Sequence, residues 1–200
     1  AARAFLSRWG DLFGVRDPAA ELALRRTTTG ASAEVFVRFD QVTPSARPVF
    51  AHDLIVALTS PGRIGGVSGL FLPDPPDGVP AITGGQAAGI ATAGAPDPGG
   101  RVIEEAVLGV FDPEAFGAPM GPARLVWQVD VHTDRPAVWR TYVDAETGSV
   151  LFAHDRIRHH QQRDVYYLNH TDMVDLTLIY RYDPPYFYGS YPGTSDQIFI

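Results

Sequence analysis

A proline-rich stretch, LPDPPDGVP at residues 72–80, constrains this chain more than any other feature of its sequence. Four of its nine residues are proline, which lacks the backbone N–H that the interior of a helix or a central strand requires. The stretch therefore breaks every regular element and is typical of a linker. We predict a domain boundary here, with one domain over residues 1–75 and a second over residues 81–157.

The segment before this stretch begins with a helix pattern. Its apolar residues recur on one helix face, and Gly14 follows where the helix can end. Asp17 and Pro18 then suit the N-cap and first turn of a further short helical piece. We expect two aromatic residues of the first helix, Trp9 and Phe13, to be buried against the sheet that follows. The apolar positions of the helix are Phe5, Leu6, Trp9, Leu12 and Phe13.

Beyond this helical region the pattern changes to a period of two, which is typical of strands. Val35, Val37 and Phe39 fall on one side of the first predicted strand. Two more strands are predicted, over residues 48–58 and 64–71, with short polar loops between them. The segment therefore predicts a helix packed on an antiparallel meander.

The segment after the proline stretch repeats this order. Thr83 and Gln86 have the spacing of a capping box, and Gly94 can end the helix, although the same Ala- and Gly-rich run would also fit a flexible linker. The last two strands form a hairpin in which Asp144 can bond the backbone ahead of it and Gly148 can take a positive φ. Strands are predicted over residues 102–110, 125–133, 137–144 and 149–154.

A third composition begins near Arg156, where apolar residues become scarce. Seven of the eight tyrosines then fall between Tyr166 and Tyr191 without a helix pattern. We interpret residues 158–200 as a connector followed by a tyrosine-rich tail of β type that is incomplete at Ile200. The predicted fold class is α+β, with two small domains that each pack one helix on an antiparallel sheet.

Composition excludes several functional classes. The net charge of the 200 residues is −7, and the sixteen basic residues, all arginine, do not form the clustered basic face of a nucleic-acid binder. No apolar run approaches the roughly 20 residues of a membrane-spanning helix, and any signal peptide would lie upstream of this sequence. The absence of cysteine excludes disulfide frameworks, zinc fingers and thiol catalysis.

Short motifs recur in order along both segments. The first segment has DLFG at residues 11–14, RFDQ at 38–41, PVF at 48–50 and GGVSG at 65–69; the second has LVWQV at 125–129 and YVDAETGSVL at 142–151. In the order and spacing of its four motifs the first segment resembles the fungalysin/thermolysin propeptide domain. The second resembles a PepSY domain, which has an alanine-rich helix before its strands and a cystatin-like fold. Together these resemblances cover about residues 1 to 157.

These two domains in this order resemble the N-terminal pro-region of secreted thermolysin-like zinc metalloproteases. The resemblance implies a secreted chain that acts as an intramolecular chaperone and inhibitor of a catalytic domain encoded downstream, its partner in cis. It implies no cofactor and no membrane span for the pro-region itself. The alternative is a stand-alone secreted module that inhibits or binds a protease in trans.

The chain is not expected to be an enzyme. A zinc protease of this kind needs the helical sequence H-E-x-x-H, and none of the six histidines is followed by glutamate. His154, Asp155, His159 and His160 offer metal-ligand chemistry, but adjacent histidines do not easily converge on one tetrahedral ion, so a polar connector is the preferred interpretation and no metal site is assigned. His52 lies in a strand and is expected to be a half-buried structural residue.

Residues after the last hairpin are candidates for proteolytic processing. Maturation must separate a pro-region from its protease where the backbone is exposed and unpaired, and this segment is polar and poor in apolar residues. The alternative is a connector ordered by packing on the second domain and cut elsewhere. The candidate residues of the connector are Arg156, Ile157, Arg158, His159, His160 and Arg163.

Overall fold

The structure is a computed structural model that describes residues 1–157 apart from 31–32, 60–61 and 119–120. Residues 1–156 form one compact unit. The tyrosine-rich tail predicted after residue 163 lies outside the described residues. Among the described helices, none is both long enough and apolar enough to cross a membrane.

The first half of the unit consists of two helices and four strands. A single 3₁₀ turn (Gly10–Phe13) follows the first helix, and Gly14 ends this turn with a φ of +83°. The Asp17 carboxylate accepts hydrogen bonds from the backbone N–H groups of Ala19 and Ala20, as the predicted N-cap requires. In chain order the elements are α1 (Ala2–Trp9), α2 (Pro18–Glu21), β1 (Leu22–Thr29), β2 (Val35–Val42), β3 (Pro48–Thr59) and β4 (Arg63–Gly69).

The second half consists of one helix and five strands. Thr83 and Gln86 form the predicted capping box at the start of the helix. Between the second and third of these strands lies a one-turn 3₁₀ helix, Pro113–Phe116. The elements are α3 (Gly84–Ala93), β5 (Arg101–Val102), β6 (Val107–Phe111), β7 (Arg124–His132), β8 (Val138–Asp144) and β9 (Val150–Asp155).

A single sheet joins the two halves. Its strand order is β1-β2-β3-β6-β7-β8-β9, with β4 paired to β3 and β5 paired to β7. Neighbouring strands are antiparallel except β3 and β6, which are parallel and pair at Val49 and Val110. Since β3 also pairs with β2 and β4, this one strand belongs to both halves.

Each half has a core between its helix and its part of the sheet. In the first half, Leu6 of α1 packs with Phe39 and Val56, and all three are almost completely buried. In the second, Ala87 and Ala91 of α3 pack against sheet residues. A third cluster occupies the sheet face opposite α3. Its buried residues are Phe111, Val126 and Tyr142, with Phe50, Phe116 and Phe152 among the residues packed against them.

The predicted α+β class is confirmed, as are the two main helices and most of the predicted strands; the single strand predicted over residues 102–110 is instead two strands, β5 and β6, with residues 103–106 between them. The predicted burial of Trp9 is wrong, because its side chain is 45% exposed, and Phe13 is only partly buried. Strand β1 was not predicted. Residues 72–80 contain no helix or strand, yet the sheet continues from β3 to β6, so the division into domains at this stretch stays a prediction.

Candidate functional site

A cleft of about 430 Å³ lies where two sheet faces meet, the face of the first half opposite α1 and the face of the second half opposite α3. The first half contributes one wall from β1, β2 and the beginning of β3. The second half contributes the other wall from β7, β8, β9 and the 3₁₀ turn after β6. The side chains that give the cleft its chemistry are Arg25, Asp40, His52, Phe116, Gln128, Arg140, Tyr142 and His154.

A local break in β3 shapes the first wall. The pairing of β2 with β3 shifts between Asp40 and Val42, and Ala51 has a φ of +62°, an uncommon value for a residue with a side chain. Extra residues of this kind bend a strand and redirect the side chains next to them. On the far side of this break lies the beginning of β3, where Pro48 pairs with Val42 of β2 and Val49 pairs with Val110 of β6.

His52, next to this bend, connects the two halves. The imidazole is buried, its Nε2 lies 3.2 Å from the Asp112 carboxylate after β6, and its Nδ1 lies 3.0 Å from the carbonyl oxygen of Phe50. Both neighbours are hydrogen-bond acceptors, so each ring nitrogen of His52 faces a polar partner. His52 is thus more buried than the half-buried position predicted from the sequence, and its contacts fix the corner where β3 passes from one half to the other.

Aromatic rings form the floor of the cleft. The ring of Tyr142 lies 4.9 Å from that of Phe111, 5.0 Å from that of Phe116 and 5.5 Å from that of Phe50, measured between centroids. Centroid distances of 4.5–7 Å are the favourable range for aromatic pairs. Burial raises the pKa of Tyr142 to about 12, so its hydroxyl remains protonated at neutral pH.

Asp130 forms ion pairs with two arginines beside this floor. The Arg140 guanidinium donates two hydrogen bonds of 2.8 Å to its carboxylate, and Arg156 pairs with the same group. Burial alone would raise the pKa of Asp130, but the hydrogen bonds from Arg140 and the two positive charges outweigh it and hold this pKa below its usual value. The carboxylate is therefore ionised at neutral pH, and the network fixes the position of Arg140 in the cleft wall.

His154 packs on the aromatic floor next to this network. Its ring stacks on Tyr142 at 6.2 Å and lies 5.4 Å from the ring of Phe152. Burial lowers the pKa of His154, and the nearby charge of Arg140 lowers it further, which favours the neutral imidazole. Its Nδ1 is buried and has no hydrogen-bond partner among the described residues.

The cleft presents polar groups held by their neighbours. Arg140 is held by Asp130, and both ring nitrogens of His52 lie within hydrogen-bond distance of an acceptor. Within residues 1–157, outside the three short gaps, no three histidine or acidic side chains lie together as metal ligands. Rigid aromatic rings with a few fixed polar groups are typical of a surface that binds another molecule.

The residues predicted as a processing connector are only partly described. The Arg156 backbone N–H donates a 2.8 Å hydrogen bond to the Val138 carbonyl, and its side chain pairs with Asp130, so this residue is held to the sheet. Ile157 is 40% exposed. Arg158, His159, His160 and Arg163 lie outside the described residues, and so do two members of the alternative metal site.

Several cleft residues were not identified from the sequence. Asp130 and Arg140 are direct cross-strand partners in β7 and β8, and the short connection between these predicted strands could have placed them opposite each other. Tyr142 begins the hairpin motif and His154 follows it in the same predicted hairpin, where strand alternation puts them on one face. His154 was considered from the sequence only as a metal ligand. The contribution of Arg25 and Asp40 to the same cleft depends on the β3–β6 pairing, for which the sequence has no local signal.

No family model and no curated protein matches the chain. Among solved structures it is similar to the YpeB C-terminal domain of Bacillus megaterium, with a TM-score of 0.40 and 15% identity, covering 77% of this chain and 61% of that chain, which is less than two thirds of its length. It is also similar to a protein described as a lipoprotein from Clostridium difficile 630, with a TM-score of 0.32 and 12% identity, covering 78% of this chain and 90% of that chain. Likenesses this weak carry no information about activity or partners.

Proposed function

We propose that this chain is the pro-region of a secreted, thermolysin-like zinc metalloprotease. In this role it binds the protease domain during folding and occupies its substrate cleft until the pro-region is removed. Such help matters because large secreted proteases fold slowly and are kept active by a high unfolding barrier rather than by equilibrium stability alone. The sequence motifs of the propeptide and PepSY types, in this order, are the starting point of the proposal.

The observation that supports it most is the open cleft between the two halves. Its floor is aromatic, and its polar side chains are held by neighbours such as Asp130 and Asp112. Preorganised aromatic and arginine side chains contribute most of the energy at protein interfaces. A partner segment inserted here would contact both halves at once, which suits a chain that must hold a folding protein in one orientation.

A refolding experiment tests the proposal. The thermolysin-like protease domain encoded in the same reading frame is denatured and diluted into buffer containing zinc and calcium, with or without one equivalent of this chain. We expect the chain to increase the yield of folded protease, which is measured after the chain has been digested. Before digestion, we expect it to inhibit the refolded enzyme at a stoichiometry of one to one.

Two variants make the experiment specific for the cleft. Gln128→Lys places a charge in the half-buried cleft wall, and we expect it to weaken both effects. Val79→Lys introduces the same residue at a side chain that is 92% exposed in the proline-rich stretch, and we expect it to behave as the original chain. Circular dichroism establishes that both variants are folded.

The outcomes separate the proposal from its alternative. If the chain neither raises the yield nor inhibits the protease, the pro-region proposal is wrong. If it inhibits secreted metalloproteases encoded elsewhere and does not assist refolding, the chain is an inhibitory module that acts in trans. An extracellular location is part of both proposals, and the absence of cysteine from the sequence is compatible with it.

A further inference from the structure

Strand β1 carries two consecutive arginines on the same face of the sheet. In a regular strand, neighbours point to opposite faces, but the pairing of β1 with β2 passes from Leu24–Phe39 directly to Arg26–Arg38, so Arg25 is an extra residue. Both arginines turn away from α1, because Arg25 bonds Asp40 while Arg26 lines a shallow depression with Arg38.

This arrangement concentrates positive charge on an acidic protein. Arg26 stands directly opposite Arg38, and like charges in this position destabilise a sheet. The Arg25 guanidinium lies 3.3 Å from the Asp40 carboxylate and that of Arg38 lies 3.5 Å from Asp53, whereas Arg26 has no carboxylate partner in the part of the chain that the structure describes. The charges of these three arginines and two carboxylates add up to a positive sum, on a chain whose net charge is −7.

The same strand forms an edge of the sheet. Within the part of the chain that the structure describes, it pairs with β2 on one side only, and all of its residues after Leu22 are exposed. An edge strand has unpaired backbone N–H and C=O groups along its outer side, and these can bind another extended chain. The arginine cluster therefore lies beside an edge that, beyond the Leu22 carbonyl held by Arg3, pairs with no further strand among the described residues.

We propose that β1 binds an extended acidic segment of a partner protein, which joins the sheet as an additional strand. Every second side chain of such a segment would face the same side as Arg25 and Arg26, so alternate carboxylates would meet the two guanidiniums. A second copy of this chain is a poor occupant, because pairing two β1 strands would bring their arginines together. The inference holds for any acidic partner and does not depend on that partner being a protease.

The test uses a soluble probe in place of the unknown partner. A blocked nonapeptide that alternates threonine with glutamate is titrated into ¹⁵N-labelled protein at low salt, where surface charges are least screened. We expect saturable shifts of the backbone amide signals of residues 22–29. The same peptide with glutamine in place of glutamate should bind at least about tenfold more weakly, because it lacks the charge-assisted hydrogen bonds.

A pair of variants assigns the effect to the cluster. Arg26→Gln should weaken binding of the glutamate peptide about fivefold, the expected effect of removing one charged hydrogen-bond donor from an exposed site. Arg101→Gln removes the same charge from an exposed residue of β5 in the other half and should leave the affinity unchanged. Equal loss in both variants would show a response to net charge alone and overturn the assignment to β1.

Two further probes distinguish strand addition from general attraction of anions. A peptide of equal charge that alternates glutamate with proline cannot form a strand ladder and should fail to shift the amides of residues 22–29. An oligothymidylate of equal charge should likewise bind more weakly than the glutamate peptide. If either probe binds as tightly as the glutamate peptide, or if no probe saturates, the proposal is wrong.

Discussion

The two halves of the sheet differ in how many of their faces are covered. In the first half, α1 covers one face, and the other face of β1 and β2 carries arginines and is left open by the described residues. In the second half, α3 covers one face while an aromatic cluster around Phe111 and Tyr142 packs on the other. The second half therefore has two layers of core, whereas the first half offers an uncovered surface for binding.

The two helices also reach their cores in different ways. Helix α1 packs a large side chain, Leu6, against the sheet. Helix α3 presents Ala87 and Ala91, which are almost completely buried because the helix lies close to the sheet. The large residues of that core, such as Trp127 and Trp139, come from the strands. The first core should therefore be sensitive to loss of volume and the second to added volume.

The largest effect on the free energy of unfolding is expected from creating a cavity in either core. Phe39→Ala in the first half and Phe111→Ala in the second each remove a fully buried ring and should lower the free energy of unfolding by about 3–5 kcal/mol. Because β3 belongs to both halves, each variant should shift one common urea transition. Two separate transitions, one shifted by each variant, would contradict the coupling of the halves through β3.

A smaller effect is expected from enlarging α3. Ala91→Leu should cost about 1–3 kcal/mol, because the helix cannot accommodate a larger side chain against Val129 and Val131 without moving away from the sheet. Gly89→Ala is the matched control in the same helix. A Cβ at Gly89 meets no atom within 4 Å, so this change should stabilise the protein by about 0.5–1 kcal/mol. Thermal denaturation measures both, and a stabilising Ala91→Leu would show that α3 is loosely packed.

Much of the fold could be predicted from local patterns, and the exceptions have local causes. Strand β1 was missed because its extra residue at Arg25 interrupts the alternation that identifies a strand. Trp9 was predicted to be buried on the assumption of one continuous helix through Phe13. The helix tightens to a 3₁₀ turn at Gly10, where a Cβ would lie only 2.9 Å from the Val15 carbonyl oxygen, and this changes the direction of the side chains around it.

The candidate cleft could be predicted only in part. Tyr142 and His154 share a face because they alternate within one predicted hairpin, and Asp130 opposite Arg140 follows from its register. These residues come close to Arg25 and Asp40 only because β3 pairs with β6. The two strands are parallel, and their paired residues are about sixty positions apart in the sequence. Pattern reasoning predicts which residues share a strand face, but not which distant strands become neighbours.

The charged network of the second half gives an effect that depends on pH. Asp130→Asn should lower stability by about 1–2 kcal/mol at pH 7, less than for a fully buried pair because both guanidiniums reach solvent. The pKa of Asp130 is lower in the folded protein than its value of about 3.9 in an unfolded chain, so its contribution is present above about pH 4 and is lost as the pH falls through the lowered folded value. Urea titrations at pH 7 and pH 3 should show the difference between the two proteins shrinking in acid. A difference that does not change with pH would mean that the carboxylate charge is unimportant.

The smallest effect is expected at Trp9, and it tests how α1 meets its sheet. A side chain that is 45% exposed leaves little cavity when it is truncated, so Trp9→Ala should change the free energy of unfolding by less than about 1 kcal/mol. Leu6→Ala, three residues earlier on the buried side, should cost about 2–5 kcal/mol and serves as the comparison. If Trp9→Ala costs as much as Leu6→Ala, the helix rotates in solution so that both side chains face the core.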